Sequence, residues 1–181
     1  MKDMLNQIIT GDARELAALI PDESIDLIFT DPVYSEKPLY DLLASVALRV
    51  LKPHGAVLCW SNGKWHRQNA NWLEAAGLTY RYDFAMTWVA GNYPMNGKII
   101  SGANRVLWFD KNSVSRQKGY LKDGFVDNIK AAALPSIDFK WFKSYGYSMR
   151  AMDAFSCTDA IVLDLYCGGG SIPAMCRQSN R

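Results

Sequence analysis

The stretch that decides the fold of this chain reads Ile25-Asp26-Leu27-Ile28-Phe29-Thr30-Asp31-Pro32-Val33-Tyr34. Its first six residues are almost all apolar, which is typical of a parallel strand that is covered on both faces. The polar tetrapeptide that follows begins at Asp31. Open α/β sheets bind their ligands in loops at the carboxyl ends of strands. The stretch therefore predicts a buried strand with a ligand site directly after it.

A second loop of the same kind lies about 130 residues later in the chain. The apolar residues 160–163 precede the sequence Asp164-Leu165-Tyr166-Cys167-Gly168-Gly169-Gly170-Ser171. Glycines permit tight turns and a close approach of backbone to a ligand. A glycine triplet alone is equally typical of an ordinary turn between a strand and a helix, but its context favours a nucleotide-type ligand.

The rest of the chain alternates between strand-like and helix-like segments. The pattern predicts strands at 7–10, 25–30, 56–60, 78–89 and 105–109, and helices at 13–20, 39–50, 65–76 and 149–155. Such alternation predicts an α/β domain with a mostly parallel sheet and helices on both faces. Residues 110–148 lack this periodicity, so we expect one domain, 1–181, with an insertion at 110–148 that serves target recognition.

Composition narrows the class of protein. Hydrophobic residues make up 49% of the 181 residues and charged residues 21%, with a net charge of +2. These values are ordinary for a globular protein, and no apolar run is long enough for a membrane helix. We therefore expect a cytoplasmic protein without a membrane contact. The four cysteines form no C-x-x-C pair, so no metal site is expected.

The tetrapeptide after the first strand suits chemistry on an aromatic amine. The lone pair of such an amine is delocalised into its ring, and acceptors for both N–H groups draw it out. The carboxylate of Asp31 and the carbonyl of Pro32 are two such acceptors, and Tyr34 offers a ring for stacking on a base. The alternative is structural: Asp31 caps a helix and Pro32 occupies its first position.

In their order, these segments resemble a known family, the amino-group DNA methyltransferases of the permuted beta class. The similarity covers nearly the whole chain. It rests on Thr10-Gly11-Asp12, on residues 21–32, on Arg49-Val50-Leu51-Lys52-Pro53-His54-Gly55, on Asn104-Arg105-Val106-Leu107-Trp108-Phe109 and on residues 161–171. The resemblance implies a Rossmann-like methyltransferase fold in permuted order. It also implies S-adenosylmethionine as cofactor and methylation of adenine N6 or cytosine N4 in double-stranded DNA.

The same resemblance implies roles for individual residues. Asp31, Pro32 and Tyr34 would be catalytic. The residues expected to bind the cofactor are Asp12, Asp31, Asp164, Cys167, Gly168, Gly170 and Ser171. Asp12 is equally typical of a helix cap. The residues expected to bind DNA are Arg105, Lys111, Arg116, Lys118 and Lys122. The stretch from Lys111 to Arg150 holds eight basic residues against three acidic ones, interleaved with aromatics that suit phosphates and bases.

Three departures from the family pattern leave other functions open. Val33 stands where the family has a second proline. Residues 143–150 replace the family's segment before the cofactor loop, with Ser148 or Arg150 as substitutes for a cofactor contact. The sequence ends at Arg181, so the family's following strand is missing, which predicts an uncovered sheet edge and a homodimer that covers it. The alternatives are a catalytically inactive DNA-binding remnant and an RNA methyltransferase. The small size suits a phage or restriction-modification enzyme.

Overall fold

The computed structural model describes residues 4–87, 94–95, 99–100, 103–111, 128–130 and 145–181. The helices are α1 (Ala13–Ala18), α2 (Lys37–Val50), α3 (His66–Ala75), α4 (Tyr145–Phe155) and α5 (Ser171–Gln178). The strands are β1 (Ile25–Thr30), β2 (Leu51–Asn62), β3 (Thr79–Thr87), β4 (Pro94–Met95), β5 (Ile99–Ile100), β6 (Ala103–Asp110), β7 (Asn128–Lys130) and β8 (Val162–Leu163). No helix in these ranges is long and apolar enough to cross a membrane.

The main sheet has the strand order β7-β3-β6-β2-β1-β8. β1 pairs in parallel with β2 and with β8, and β3 pairs in parallel with β7. β6 is antiparallel to both of its neighbours, β2 and β3. Five of these six strands therefore point the same way, which confirms the mostly parallel α/β sheet. The sequence pattern predicts neither the reversed direction of β6 nor strand β7.

Alternation along the central strands separates two apolar cores. Ile28, Val57 and Cys59 face a core completed by residues of α1, α2 and α3. Their neighbours Phe29 and Leu58 face the other core, which α4 and α5 complete. Successive side chains of a strand point to opposite faces, so a strand with helices on both sides buries apolar side chains on both. This is why Leu27, Ile28 and Phe29 of β1 are consecutive apolar residues, and the helices on both faces are confirmed.

One carboxylate ties three strands together at the end of the sheet where β1 begins. Asp26 is buried, and its two oxygens accept hydrogen bonds from the Lys52 ammonium at 2.8 and 2.9 Å. The same carboxylate accepts the backbone N–H of Ile161 at 2.9 Å, and the Asp26 N–H donates to the Ile161 carbonyl at 3.0 Å. A buried charge of this kind is tolerated because it is paired and hydrogen-bonded.

Several predicted boundaries need correction. Residues 7–10 form no strand, and Ile8 is 61% exposed, because this segment pairs with none of the described strands. The strand predicted at 160–163 is limited to Val162–Leu163. Helix α4 begins at Tyr145, four residues earlier than predicted, and the Tyr147 ring packs on Trp60 at 5.7 Å. Most of the predicted insertion at 110–148 lies outside the described residues, so its role in target recognition stays a prediction.

Candidate active site

The two polar loops lie side by side at one edge of the sheet. β1 and β8 pair in parallel, with Leu27 opposite Val162 and Ile28 opposite Leu163. Their carboxyl ends therefore place Asp31 and Asp164 at the same edge. The Thr30 hydroxyl donates to Asp164 Oδ1 at 2.7 Å, and the Tyr166 N–H contacts both Thr30 Oγ1 at 3.1 Å and Asp164 Oδ1 at 3.2 Å. These bonds join loops that are more than 130 residues apart.

The loop after β1 presents a carboxylate and a ring together. The Tyr34 hydroxyl donates to Asp31 Oδ1 at 2.9 Å, and burial, followed by the charge of Asp31, raises the pKa of Tyr34. Pro32 is buried, whereas Val33 is 54% exposed and points away from the core. Helix α2 begins at Lys37 with Glu36 as its N-cap. The alternative that Asp31 caps this helix is therefore wrong.

The glycine loop turns through two left-handed residues. Gly168 has φ +48° and Gly170 has φ +77°, a region that strains other residues. The Gly170 N–H donates to the Cys167 carbonyl at 2.7 Å, and Gly170 is the N-cap of α5. Ser171, the first residue of α5, is buried. The loop therefore has the strand-loop-helix geometry that brings backbone close to a ligand.

Asp164 is the carboxylate whose ionisation the fold disturbs most clearly. The pKa of Asp164 is raised from 3.8 to about 6, mainly by burial and to a smaller extent by the charge of nearby Asp31. The hydrogen bonds from Thr30 and from the Tyr166 N–H oppose that shift. Such shifts are typical of functional sites. A cationic ligand beside Asp164 would stabilise its ionised form, because an opposite charge favours ionisation.

An open groove of about 1150 Å³ runs along the outer side of β8, from residues 158–161 before the strand to the glycine loop after it. Its wall includes Asp164, Cys167, Gly169 and Gly170, together with residues 4–9 and the first turn of α5. Ligand pockets usually measure roughly 300–1,000 Å³, so the groove holds a nucleoside-sized molecule with room to spare. The residues expected to bind the cofactor that do not line this groove are Asp12, Asp31, Gly168 and Ser171.

Asp12 has a structural partner of its own. Its side chain accepts the Arg14 N–H at 2.7 Å and caps α1. Of the two readings that the sequence leaves open for this residue, the geometry therefore favours the helix cap. Asp31 lies in the loop next to Asp164, and its charge contributes to the raised pKa of Asp164. A molecule bound at Asp164 would therefore lie close to Asp31.

Three groups in and beneath these loops were not predicted from the sequence. The sequence marks Thr30 only as the end of a strand, although a buried hydroxyl needs a partner. The Tyr166 hydroxyl donates to the Leu39 carbonyl at 2.9 Å and so ties the glycine loop to the first turn of α2. Asn69 is fully buried, and its amide donates to the Tyr40 hydroxyl at 2.7 Å and to Ser61 Oγ at 2.8 Å.

The structure separates the predicted DNA-binding residues. Arg105 lies near the start of β6, opposite Ser61, and pairs with Asp83 at 2.7 Å. Because β6 runs antiparallel to β2, this position is at the edge where the two loops meet. Lys111 follows the other end of β6 and pairs with Glu23 at 3.0 Å, so it lies at the opposite edge. Arg116, Lys118 and Lys122 lie outside the described residues.

No protein-family model matches the chain, and no curated protein matches it. Solved structures do match. The M1.HpyAVI complex with SAM superposes with a TM-score of 0.75 at 18% identity, over 97% of this chain and 89% of that one. The cytosine-N4-specific PvuII DNA methyltransferase gives 0.77 at 18% identity, over 94% and 77%. TTHA0409 from Thermus thermophilus, complexed with S-adenosyl-L-methionine, gives 0.70 at 18% identity, over 95% and 84%.

These three proteins and this chain share one arrangement of strands and helices over almost the full length of the chain. At 18% identity the likeness establishes architecture. It agrees with the fold class that the two loops and their surrounding segments predict. The chain has the α/β methyltransferase fold.

Proposed function

We propose that this chain is an S-adenosylmethionine-dependent DNA methyltransferase that acts on an exocyclic amine, adenine N6 or cytosine N4. The observation that carries the proposal is the junction of the two loops through Thr30 and Asp164. This junction supports the proposal because Asp31, a candidate acceptor for an amine, lies in a loop beside a glycine loop that suits a nucleoside. The structural neighbours, which include a cytosine-N4-specific DNA methyltransferase and complexes with S-adenosylmethionine, support the same function.

The residues at the groove fit this cofactor. Asp164 is a half-buried carboxylate, and Asp31 adds a second negative charge near it. A cationic molecule suits such a pair, because it offsets the cost of burying two like charges. Gly169 and Gly170 leave backbone without side chains along one wall. When bound, S-adenosylmethionine supplies an electrophilic methyl group. The residues that would hold the cofactor are Asp164, Cys167 and Gly170.

The loop after β1 would activate the base. Asp31 accepts one hydrogen bond from the target amine and the Pro32 carbonyl accepts the other, so the nitrogen lone pair leaves conjugation with the ring. Asp31 also takes up the proton that the amine loses after transfer. Tyr34 stacks on the extruded base, which is worth about 1–3 kcal/mol against a few kcal/mol of unstacking. Adenine and cytosine are held alike by these groups.

The contact between Tyr34 and Asp31 adds a step before substrate binding. The Tyr34 hydroxyl occupies Asp31 Oδ1 at 2.9 Å. A base amine that approaches Oδ1 competes with this hydroxyl, whereas Oδ2 of the same carboxylate offers further acceptor sites. We expect Tyr34 to rotate when the amine takes Oδ1. The exchange replaces one hydrogen bond by another and releases the Tyr34 ring for stacking.

Transfer of a labelled methyl group to unmethylated DNA tests this function. We expect incorporation by the wild type, recovered as methylated adenine or cytosine after digestion to nucleosides. Asp31→Ala removes the acceptor and should lower the rate about 10²–10⁴-fold, the usual contribution of a positioned proton acceptor. Asp41→Ala is the matched control, because Asp41 is an exposed aspartate paired with Lys37 on α2. Equal incorporation by wild type and Asp31→Ala would overturn the proposed role of Asp31.

The second candidate is a DNA-binding relative without catalytic activity. The hydrogen bond from Tyr34 to Asp31 Oδ1 favours it, because it uses one of the acceptor sites that an amine would need. Calorimetric titration with S-adenosylmethionine discriminates between the two. Micromolar binding supports the enzyme, whereas a folded sample that binds DNA and gives no heat with S-adenosylmethionine supports the inactive relative.

A further inference from the structure

A basic and aromatic surface lies beside the candidate active site, outside every segment that sequence analysis assigned to DNA. We define the α3 patch as Lys64, Trp65, His66 and Arg67. β2 is parallel to β1 and Thr30 lies opposite Cys59, so β2 continues three residues further, to Asn62, at the same edge. The α3 patch follows directly and therefore sits at the edge where Asp31 and Asp164 lie.

The backbone of this patch is held in place. Asn62 Oδ1 accepts the N–H groups of both Lys64 and Trp65 at 3.1 Å. The half-buried Trp65 ring stacks on Trp72 at 6.4 Å, and Trp72 packs on the buried Tyr40 at 5.4 Å. Lys64 Nζ lies 5.2 Å from the centre of the Trp65 ring. A row of rings thus connects the surface to the core beneath the catalytic loop.

The cations of this patch form no ion pair with the described carboxylates. Lys64 and Arg67 are exposed, and among the described residues neither lies within ion-pairing distance of a carboxylate. By contrast, Arg49, Lys52 and Arg81 each pair with an aspartate. The first turn of α3 holds no acidic residue, and Trp65 provides no side-chain cap. Positive groups placed together at a positive helix end are unfavourable without an anion.

We infer that the α3 patch binds the phosphate backbone of DNA next to the extruded target base, with Lys64 and Arg67 each contacting a phosphate. The inference rests on the proposed function, since it concerns the partner of the same site. We choose the occupant by charge complementarity: two cations that pair with no described carboxylate, one of them over the Trp65 ring, match a polyanion that carries stackable bases. These contacts position the duplex and read no sequence.

The test is DNA affinity as a function of salt for wild type, Lys64→Ala, Arg67→Ala and Lys111→Ala, with one duplex. Each phosphate contact that is lost lowers the slope of log K against log [salt] by about 1. We expect that decrease for Lys64→Ala and for Arg67→Ala. Lys111→Ala is the matched control and should keep the wild-type slope, because Lys111 lies at the opposite edge and pairs with Glu23. Affinity for S-adenosylmethionine should be the same in all four.

The outcomes separate this inference from the proposed function. If the wild type binds and methylates DNA and both patch variants keep its salt slope, the inference about the patch is overturned and the proposed function stands. A wild type that neither binds DNA in a salt-dependent way nor transfers methyl groups would overturn both. Single-stranded RNA of the same length serves as a second ligand. If its slope of log K against log [salt] is steeper than that of the duplex, and both patch substitutions lower it, the patch binds RNA and the assignment to DNA is overturned.

Discussion

The Thr30 hydroxyl donates to Asp164 Oδ1 at 2.7 Å and, through the same oxygen, accepts the Tyr166 N–H at 3.1 Å. The two loops of the candidate site therefore share one buried residue. Thr30→Val keeps the shape and removes both bonds, leaving a buried carboxylate with one donor fewer. We expect a loss of about 1–3 kcal/mol in the free energy of unfolding, measured by urea denaturation, together with weaker S-adenosylmethionine binding.

Ser45→Ala is the control for Thr30→Val. Ser45 is exposed, and the partner of its hydroxyl among the described residues is the Leu42 carbonyl of its own helix, at 3.1 Å. It should change neither stability nor cofactor affinity measurably. If Thr30→Val left both quantities at their wild-type values, the hydrogen bond to Asp164 would not be what joins the loops.

Asp164 makes stability depend on pH. Burial raises its pKa from 3.8 to about 6, so the folded protein holds this proton more tightly than the unfolded chain does. Stability therefore falls as pH rises from about 4 to 6, and the full penalty remains above pH 6. Asp164→Asn removes the charge and can still accept from Thr30. We expect this variant to be more stable than the wild type at pH 7.5, with the difference vanishing near pH 4, while cofactor affinity falls.

Urea denaturation at both pH values measures the Asp164 effect, and Asp159→Asn serves as reference. Asp159 is exposed and has φ +63°, a conformation that asparagine tolerates well. Its stability difference from wild type should be the same at the two pH values. A pH-independent difference for Asp164→Asn would contradict the raised pKa.

Tyr34 carries two separable functions, a hydroxyl on Asp31 and a ring for the base. Tyr34→Phe removes the hydroxyl that competes for Asp31 Oδ1 and keeps the ring, so we expect a kcat at or above that of the wild type. Tyr34→Ala removes the ring and about 1–3 kcal/mol of stacking, which corresponds to a decrease of about 5- to 150-fold in kcat/KM for DNA. Steady-state methyl transfer measures both. A Tyr34→Phe variant as slow as Tyr34→Ala would show that the hydroxyl itself takes part.

Tyr166 joins the glycine loop to α2 through its hydroxyl and the Leu39 carbonyl. Tyr166→Phe should lower the free energy of unfolding by about 0.5–1.5 kcal/mol, the net value of one hydrogen bond. It should also slow methyl transfer at saturating cofactor, because the loop after β1 leads into that same turn of α2. Tyr80→Phe removes an exposed bond to Asp83 at 3.1 Å and should leave the rate unchanged. Equal rates for wild type and Tyr166→Phe would limit the hydroxyl to stability.

The sequence pattern predicted what depends on local chemistry. The strand at 25–30 matches β1, because a strand buried on both faces has apolar residues at consecutive positions, and polar ones such as Asp26 and Thr30 only where they find partners. The meeting of the two loops followed from parallel strands that end at one edge. The reversed direction of β6 was not predictable, since an apolar strand reads the same in either orientation. The strand expected at 7–10 was wrong, because apolar residues without a neighbouring strand have no ladder to join.

Side-chain partners across the chain were the part of the site that local patterns could not supply. Thr30 and Asn69 belong to no motif, and nothing in the glycine-loop motif indicates the partner of the Tyr166 hydroxyl. The roles of all three depend on residues between 8 and 136 positions away. The position of Lys111 was not predictable either, because it depends on the direction of a strand. It belongs to a basic run in sequence, yet the direction of β6 takes it away from the loops.

Asp26 fixes one end of the sheet, and the two loops of the candidate site lie at the other end. Its bonds to Lys52 and to Ile161 hold three strands in register at the edge remote from the loops. The loops at the other edge can therefore rearrange during a turnover, as when Tyr34 leaves Asp31, without transmitting a shift along the strands. Amides around Asp26 should exchange with deuterium only on global unfolding, whereas those of residues 165–169 should exchange through local opening.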